Sequence, residues 1–183
     1  MRPPPTLDAL LVVAAFSRHA AALAWARARL AELFGPIALI GEPYAFHHTG
    51  YYGATMGPDL FKQLFAFQDL VPLDSLAEYK RRAIGLEAEL KSTAQFPEER
   101  PLNLDPGLLT LGKFMLATTK DQAHRLYLRD GVFAEVTLRY QEGEWVPWPW
   151  TYADYREDSV RAFLNQAREY YKQRLRETEQ SAG

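Results

Sequence analysis

Two short apolar runs separated by a helical pattern open the chain. Residues 10–16 are continuously apolar with adjacent valines, which is typical of a strand buried on both faces. Apolar side chains then recur at helical spacing until Gly35 and Pro36, which end helices in this order, and residues 37–40 form the second apolar run. This strand, helix and strand predict a βαβ unit whose two strands are parallel neighbours.

A third strand and a second helix follow. Residues 60–67 alternate between two faces, and we interpret the strand that they predict as structural. Ser75 and Glu78 match a capping box, in which each side chain bonds a backbone N–H group at the start of a helix. Lys80 and the two arginines after it are interpreted as a solvated basic flank beside the apolar stripe of this helix.

The Asp130-Gly131 pair marks a hairpin whose loop length sets the strand register. A two-residue loop mixes polar and apolar side chains on both faces, whereas a three-residue loop of residues 129–131 separates them. The three-residue register pairs Leu128 with Val132, Leu126 with Ala134, His124 with Val136, Tyr127 with Phe133 and Arg125 with Glu135. We therefore predict this register, with an apolar face on one side of the hairpin and an Arg125–Glu135 contact on the other.

Strand signals stay close together from residue 100 to residue 155, and a final helix begins near Asp154 or Ser159. The apolar residues of that helix keep helical spacing, so we expect it to pack on the sheet. The whole pattern predicts an α+β fold, with one mixed β-sheet, the N-terminal βαβ unit, a C-terminal antiparallel hairpin or meander, and about three helices packed on the sheet.

Length and composition favour a single domain. The chain has 183 residues, of which 48% are hydrophobic and 24% are charged, which is close to the average of folded domains and argues against disorder. We assign residues 7–177 to one domain, residues 1–6 to a flexible arm and residues 178–183 to a frayed tail. The absence of cysteine excludes disulfides, thiolate metal sites and cysteine nucleophiles.

Charge and hydropathy narrow the location and the partners. The formal net charge is -2, so no overall basic field attracts the chain to nucleic acid or anionic lipid, and neither is expected as a partner. The apolar stretch at residues 9–16 is far shorter than the roughly 20 residues that a membrane span requires. It also lacks the features of a signal peptide, and we expect a cytoplasmic protein.

Polar residues that suit a small anionic ligand surround the hairpin. The candidate ligand-binding residues are Asn103, Thr118, Thr119, Lys120, Arg125, Thr137, Trp150 and Tyr152, and the candidate catalytic carboxylates are Asp105 and Glu135. The cations and hydroxyls would contact a phosphate group, the two aromatic side chains would form a stacking wall, and the carboxylates would hold a divalent metal or transfer protons. A surface salt bridge between Arg125 and Glu135, without any ligand, is the competing interpretation.

The same stretches carry a family resemblance. They are NLDPGLL at residues 103–109, LATTKDQAHRLYL at 116–128, GVFAEVTL at 131–138 and PWPWTYADYR at 147–156. Through these motifs nearly the whole chain resembles the bacterial and archaeal family known as domain of unknown function (DUF) 4416. Ala153 stands where proline is common in that family, which affects only the local turn. The family has no assigned activity, so the resemblance implies an identity without a mechanism.

Other chemistries find weaker signals. No Gly-x-x-x-x-Gly-Lys-Ser/Thr loop is present, and the aspartate in residues 119–122 comes one position too early for a guanine-reading motif, so a P-loop GTPase is disfavoured. His47 and His48 resemble half of a two-histidine phosphoesterase site or part of a zinc site, but the later His124 lacks a matching context. Two functions stay open. One is binding, with or without turnover, of a phosphate-bearing or nucleotide-like ligand, and the other is noncatalytic interaction with a protein through the aromatic segment 145–155.

Overall fold

The structure is a computed structural model, and it describes residues 7–46 and 53–181. Within them, nine strands form one open sheet in the order β2-β4-β1-β5-β6-β8-β7, with β3 also paired to β4 and β9 to β8. The strands are β1 (Asp8–Ser17), β2 (Ile37–Ile40), β3 (Tyr44–Phe46), β4 (Leu60–Pro72), β5 (Asn103–Leu109), β6 (Lys113–Thr118), β7 (Leu126–Arg129), β8 (Val132–Gln141) and β9 (Glu144–Pro147). The helices are α1 (Ala20–Phe34), α2 (Gly53–Met56), α3 (Leu76–Ser92) and α4 (Asp158–Ser181), and two 3-10 turns lie at Leu73–Ser75 and Ala153–Arg156. The predicted α+β class is confirmed, but every strand pair in the described residues is antiparallel, so the sheet is not the mixed one that was predicted.

The N-terminal unit has the predicted elements but a different neighbour relation. β1 is buried over almost its whole length, as its continuous apolar run predicts. β1 and β2 both pair antiparallel with β4, so they run parallel to each other with β4 between them. The prediction that they are neighbours is therefore wrong. β4 is longer than the predicted strand at residues 60–67. Its middle is buried and pairs with β1 on one side and β2 on the other.

Helices cover both faces of the sheet. On one face, α1 and α3 bury Leu23, Leu30, Leu86 and other apolar side chains against the odd-numbered residues of β1. On the opposite face, α4 packs against the even-numbered residues of β1, as its helical spacing predicts. The residues of α4 in this layer are Val160, Phe163, Leu164, Ala167, Tyr171 and Leu175. α4 continues to Ser181, into the segment that was expected to fray.

The start of α3 differs from the prediction in two respects. The capping box is absent, because the Ser75 hydroxyl donates to the Pro72 carbonyl at 2.5 Å and makes no cap to the helix. Lys80 is buried instead of solvated, because it lies one turn after Leu76 and three residues before Ala83, within the apolar stripe. The arm at residues 1–6 and the histidines His47 and His48 lie outside the described residues.

The hairpin of β7 and β8 combines the two registers considered above. Asp130 and Gly131 both have positive φ, 55° and 75°, so they form a two-residue turn. A bulge then restores the register, so the Leu126–Ala134 and Tyr127–Phe133 pairs are confirmed. The predicted Leu128–Val132 pair is wrong, because Arg129 faces Val132 and the bulge falls between Tyr127 and Arg129.

The predicted Arg125–Glu135 contact forms, and Val132 of the predicted apolar face is buried, but the expected exposure of β7 and of the ionic pair is wrong. β7 is the last strand of the sheet, and Leu126 and Leu128 are 75% and 41% exposed because no described helix covers them. The ionic pair is the buried one, since the side chains of Arg125 and Glu135 retain only 2% and 1% of their accessible surface.

Candidate functional site

A cleft opens in the sheet where β5 and β6 separate. The two strands pair only from Gly107 to Leu109, although β5 begins at Asn103 and β6 continues beside β8 as far as Thr118. A strand directs the backbone groups of every second residue to the same neighbour. Leu104 directs its N–H and C=O groups away from β1, so Pro106 faces the β6 side as well. Because proline has no N–H group to donate, the ladder between the strands ends at this residue.

Side chains from α3 replace the missing strand at the open half of β5. The Lys80 ammonium donates to the Leu104 carbonyl at 2.8 Å, and the Leu104 N–H group donates to Glu87 Oε1 at 2.6 Å. Lys80 and Glu87 lie seven residues apart, or about two helical turns, and therefore on the same face of α3. Both backbone groups that β6 leaves unpaired at Leu104 are thus satisfied by one helix.

The cleft contains a cavity of about 430 Å³, and most of the predicted site residues line it. Those residues are Asn103, Asp105, Thr118, Thr119, Lys120, Glu135 and Tyr152. The cavity also contains polar residues that the sequence interpretation missed, namely Lys62, Lys80, Glu87, Arg100, Asp154 and Tyr155. We call this space the cleft cavity.

Arg125 and Thr137 lie behind the wall of the cleft cavity. Arg125 donates from Nε to Glu135 at 2.8 Å, from one terminal nitrogen to the Lys120 carbonyl at 3.0 Å, and from the other to the Tyr152 hydroxyl at 2.8 Å. Thr137 is fully buried and contacts the other oxygen of Glu135 at 3.4 Å. These two residues can therefore position wall residues, but they do not reach a ligand in the cavity themselves.

Trp150 is engaged elsewhere than in the cleft cavity. Its ring stacks on Trp148 at 5.2 Å and on His124 at 5.1 Å between centroids, and its indole nitrogen donates to the Val136 carbonyl at 3.1 Å. His124 in turn lies 3.3 Å from Glu135. The column of rings thus supports the Glu135 carboxylate from outside, so the geometry favours Tyr152 over Trp150 as a wall for a ligand.

Two buried ion pairs form the inner end of the cleft cavity. The Lys62 ammonium lies 2.6 Å from Asp154, and both side chains keep at most 4% of their accessible surface. Lys62 also lies over the ring of Tyr155, 4.3 Å from its centroid. Lys80 lies 3.0 Å from Asp105, whose side chain is 24% exposed. Buried charges persist only when they are paired, which explains why each of these ammonium groups has a carboxylate partner.

The environment shifts the pKa values of the two carboxylates beside Lys80, Asp105 and Glu87, in opposite directions. Burial alone would raise the pKa of Asp105, but the charges of Lys80 and Lys62, the hydrogen bond from Lys80 and the nearby amide group of Asn103 outweigh it and hold this pKa below its ordinary value. Burial raises the pKa of Glu87, and Lys80, the Leu104 amide and Arg100 offset this effect only in part. Asp105 therefore stays ionised, whereas Glu87 is the carboxyl group that protonates more readily.

The charges that line the cleft cavity are evenly balanced. Among the described residues, four Lys or Arg and four Asp or Glu side chains line the cleft cavity, and Arg125 adds a cation behind Glu135. Every one of those carboxylates already accepts a hydrogen bond or an ion pair from the protein. No group of three His, Asp or Glu side chains in the described part of the chain is placed to hold a metal ion.

A larger groove lies beside α1. It has a volume of about 850 Å³ and is lined mainly by alanines of α1 together with Ile37, Ile40 and Phe61. Among the described residues, its charged lining residues are Arg18 and Arg27, and none of its lining residues is a carboxylate or a histidine. Because chemistry needs polar groups that converge, the smaller cleft cavity is the better candidate site.

Some of the missed residues had a signal in the sequence. Lys62 shares its strand face with Leu64 and Ala66, both buried, so strand alternation already placed a lysine on an inward face. Lys80 falls within the apolar stripe of α3, as noted above. Asp154 had no comparable signal, because its burial depends on the 3-10 turn that brings it to Lys62 across the sheet.

Comparison with known proteins gives one match. A family model described as domain of unknown function (DUF4416) matches residues 7–171, which agrees with the resemblance found in the sequence. No curated protein and no solved structure matches the chain. No helix in the described residues is both long and apolar enough to span a membrane.

Proposed function

The chain belongs to the DUF4416 family, and from this premise and the geometry of the cleft we propose that it binds a small phosphate-bearing, nucleotide-like ligand in the cleft cavity. The observation that carries the proposal is the separation of β5 from β6, since it brings seven separately predicted polar residues around one space. A pocket with a few convergent polar groups is the usual form of a small-molecule site.

The mouth of the cavity has the groups that a phosphate requires. Thr118, Thr119 and Lys120 lie at the free end of β6, and Lys120 and Thr119 are exposed. The Lys120 N–H group donates to the Thr118 hydroxyl at 3.2 Å, while the Lys120 carbonyl accepts from Arg125. These two bonds fix the backbone that carries the lysine, so that its ammonium group and the threonine hydroxyls can serve one oxyanion.

Asp105 and Glu135 would have different roles in any turnover of the ligand. Asp105 is ionised and partly exposed, so its oxygen atoms can accept hydrogen bonds from a bound ligand or water, while its lowered pKa makes it a weak base. Glu135 is held by Arg125, His124 and Thr137, which leaves it little freedom to transfer a proton. We therefore propose that Asp105 orients a bound ligand or water as a charged hydrogen-bond acceptor, and that Glu135 orders Arg125 and Tyr152.

The test is a thermal-shift screen with inorganic phosphate and nucleoside mono-, di- and triphosphates, each with and without Mg²⁺. Binding to the folded state raises the melting temperature by mass action. We expect at least one phosphate compound to do so, and we expect Lys120→Ala to reduce the shift. Lys113→Ala is the matched control, because Lys113 lies at the other end of β6 and does not line the cleft cavity. Equal shifts in both variants, or no shift with any compound, would remove the basis of the proposal.

A second candidate function rests on the exposed edge of the sheet. Leu126 and Tyr127 of β7 are 75% and 61% exposed. Trp150 and Tyr152 of the aromatic segment are also exposed, and they contact His124 and Arg125, which directly precede β7. Exposed apolar patches mark interaction surfaces. We propose self-association through this patch as the competing function, and sedimentation velocity over a range of concentrations tests it. If the parent protein and Leu126→Lys both sediment as monomers at every concentration, self-association through this patch is excluded.

A further inference from the structure

Two buried hydrogen-bond donors at the inner end of the cleft cavity have no acceptor among the residues that the structure describes. They are the amide nitrogen of Asn103 and the hydroxyl of Tyr155, and both residues line the cavity. Asn103 retains 4% and Tyr155 retains 1% of its accessible surface. Native proteins satisfy nearly all buried donors, so two such donors at one cavity call for an acceptor beyond the described residues, and a bound ligand is one that can supply it.

The orientation of the Asn103 side chain is set by its neighbour. Its carbonyl oxygen accepts a hydrogen bond from Arg100, which can only donate, so the oxygen must face Arg100 and the NH₂ group must face away. The NH₂ group lies near Asp105 and helps to lower the pKa of that residue, but it forms no hydrogen bond of ordinary geometry. Asn103 therefore presents a donor to the cavity.

Tyr155 is also fixed as a donor. Burial, followed by the negative charge of Asp154, raises the pKa of Tyr155 well above its ordinary value, so the hydroxyl keeps its proton. The ring is held between Lys62 and Phe114, which lie 4.3 Å and 5.8 Å from its centroid. A hydroxyl on a ring held in this way cannot turn to another partner without repacking the core.

The rest of the inner end is apolar and aromatic. Phe16 and Phe46 lie there, each with its ring centroid 5.4 Å from the Lys62 ammonium. Leu116 and the partly exposed Ile84 line the same cavity. A sugar ring would bring several hydroxyl groups that need partners, whereas a planar heterocycle has apolar faces and carries its hydrogen-bonding atoms on its edge. The combination of apolar walls and two donors therefore suits a nucleobase better than a sugar.

We propose that the inner end of the cleft cavity binds a nucleobase, whose carbonyl oxygen or ring nitrogen atoms accept hydrogen bonds from Asn103 and Tyr155. The inference rests on the proposed function, and it makes the ligand a nucleoside monophosphate with its phosphate toward Lys120. Small-molecule sites measure about 300 to 1,000 Å³, so a cavity of about 430 Å³ suits a mononucleotide and is small for a dinucleotide.

Isothermal titration calorimetry with AMP, GMP, CMP, UMP and ribose 5-phosphate tests the inference. The readout is the ratio of nucleotide affinity to ribose 5-phosphate affinity, because both ligands carry the same phosphate. We expect at least one nucleotide to bind about tenfold or more tightly than ribose 5-phosphate. Tyr155→Phe removes only the hydroxyl, and Asn103→Asp keeps the acceptor for Arg100 while removing the donor. Each variant is expected to reduce the ratio about tenfold.

Matched controls separate this effect from a loss of folding. Tyr140→Phe and Asn165→Asp make the same chemical changes outside the cleft cavity and should leave the ratio unchanged. Tyr155→Phe should not lower the melting temperature of the ligand-free protein, because the hydroxyl that it removes has no partner in the described part of the chain. A structural hydroxyl would give the opposite result.

The outcomes distinguish the two proposals. If ribose 5-phosphate binds as tightly as every nucleotide, or if both variants keep the parental ratio, the nucleobase assignment is wrong and the phosphate site survives. If none of the five compounds binds, the proposed function and the nucleobase assignment are both overturned.

Discussion

The two halves of β5 show two ways in which one strand can be completed. From Gly107 to Leu109 the strand pairs with β6 and is buried, whereas from Asn103 to Asp105 it faces the cleft and is held by Lys80 and Glu87. The halves are joined by Pro106, which cannot donate to a neighbouring strand. After Pro106, backbone pairing with β6 leaves no gap in the sheet. Before Pro106, side chains of α3 replace that pairing, and the cleft cavity remains between the strands. Three substitutions test this comparison.

Gly107→Ala should have the largest effect, because it acts on the paired half. A Cβ atom at this position would lie 2.6 Å from the Met115 carbonyl and 2.7 Å from the Phe114 ring, closer than atoms can pack. Overpacking of this kind costs about 1 to 3 kcal/mol, and we expect about 3 kcal/mol here because the nearest atom belongs to backbone. Urea unfolding measures it, and Gly112→Ala, with open space around it, is the control. Equal stability of the two variants would show that β5 and β6 do not pair closely.

Lys80→Met should have an intermediate effect on the open half. The substitution leaves Asp105 without its ion pair and the Leu104 carbonyl without its donor. Removing one partner of a fully buried pair costs about 3 to 5 kcal/mol, and we expect about 2 kcal/mol because Asp105 is partly exposed and Lys62 remains near it.

The control for Lys80→Met is the neighbouring Arg81→Met. Arg81 pairs with Asp130 across an exposed surface, so its removal should change the unfolding free energy by less than about 0.5 kcal/mol. If the two variants lose the same stability, Lys80 does not replace β6 as described.

Glu87→Gln should have the smallest effect, and that effect should depend on pH. Because burial raises the pKa of Glu87, its contribution to stability is present below the unfolded pKa and is lost as the pH rises through the folded pKa. Glutamine can still accept from the Leu104 N–H group but does not titrate. The variant should therefore gain stability relative to the parent as the pH rises above 4.5.

Denaturant unfolding at several pH values measures this difference for Glu87→Gln. Glu89→Gln, on the exposed side of the same helix, is the control, because Glu89 pairs with Arg29 at the surface. Parallel stability profiles for the parent and Glu87→Gln would contradict the burial that we assign to this carboxylate.

The strands and helices could be predicted because apolar periodicity reports burial directly. β1, α1, β2 and α4 follow from runs or spacings of apolar residues, and the structure contains each of them. The order of strands could not be predicted in the same way. The insertion of β4 between β1 and β2 depends on pairing between distant segments, and either arrangement buries the same apolar faces.

Only some residues of the candidate site could be predicted from the sequence, for a related reason. Asn103, Thr118 and Lys120 could be predicted because they are polar residues within recognisable motifs, and in the structure they line one cavity. Lys62 and Lys80 were assigned to structural or solvated faces, because a lysine is rarely buried and its partner cannot be identified without the fold. The hairpin shows the opposite error, since its apolar residues suggested a core although β7 lies uncovered at the sheet edge.

The most direct test of the central claim is a titration of the ¹⁵N-labelled protein with nucleoside monophosphates, followed by the backbone amide signals. The account predicts that the largest shifts occur at residues 103–105 and 118–120, on the two sides of the cleft, while residues 108–115 of the paired half stay unchanged. The absence of shifts at saturating ligand, or shifts confined to residues 126–129 at the edge strand, would contradict it.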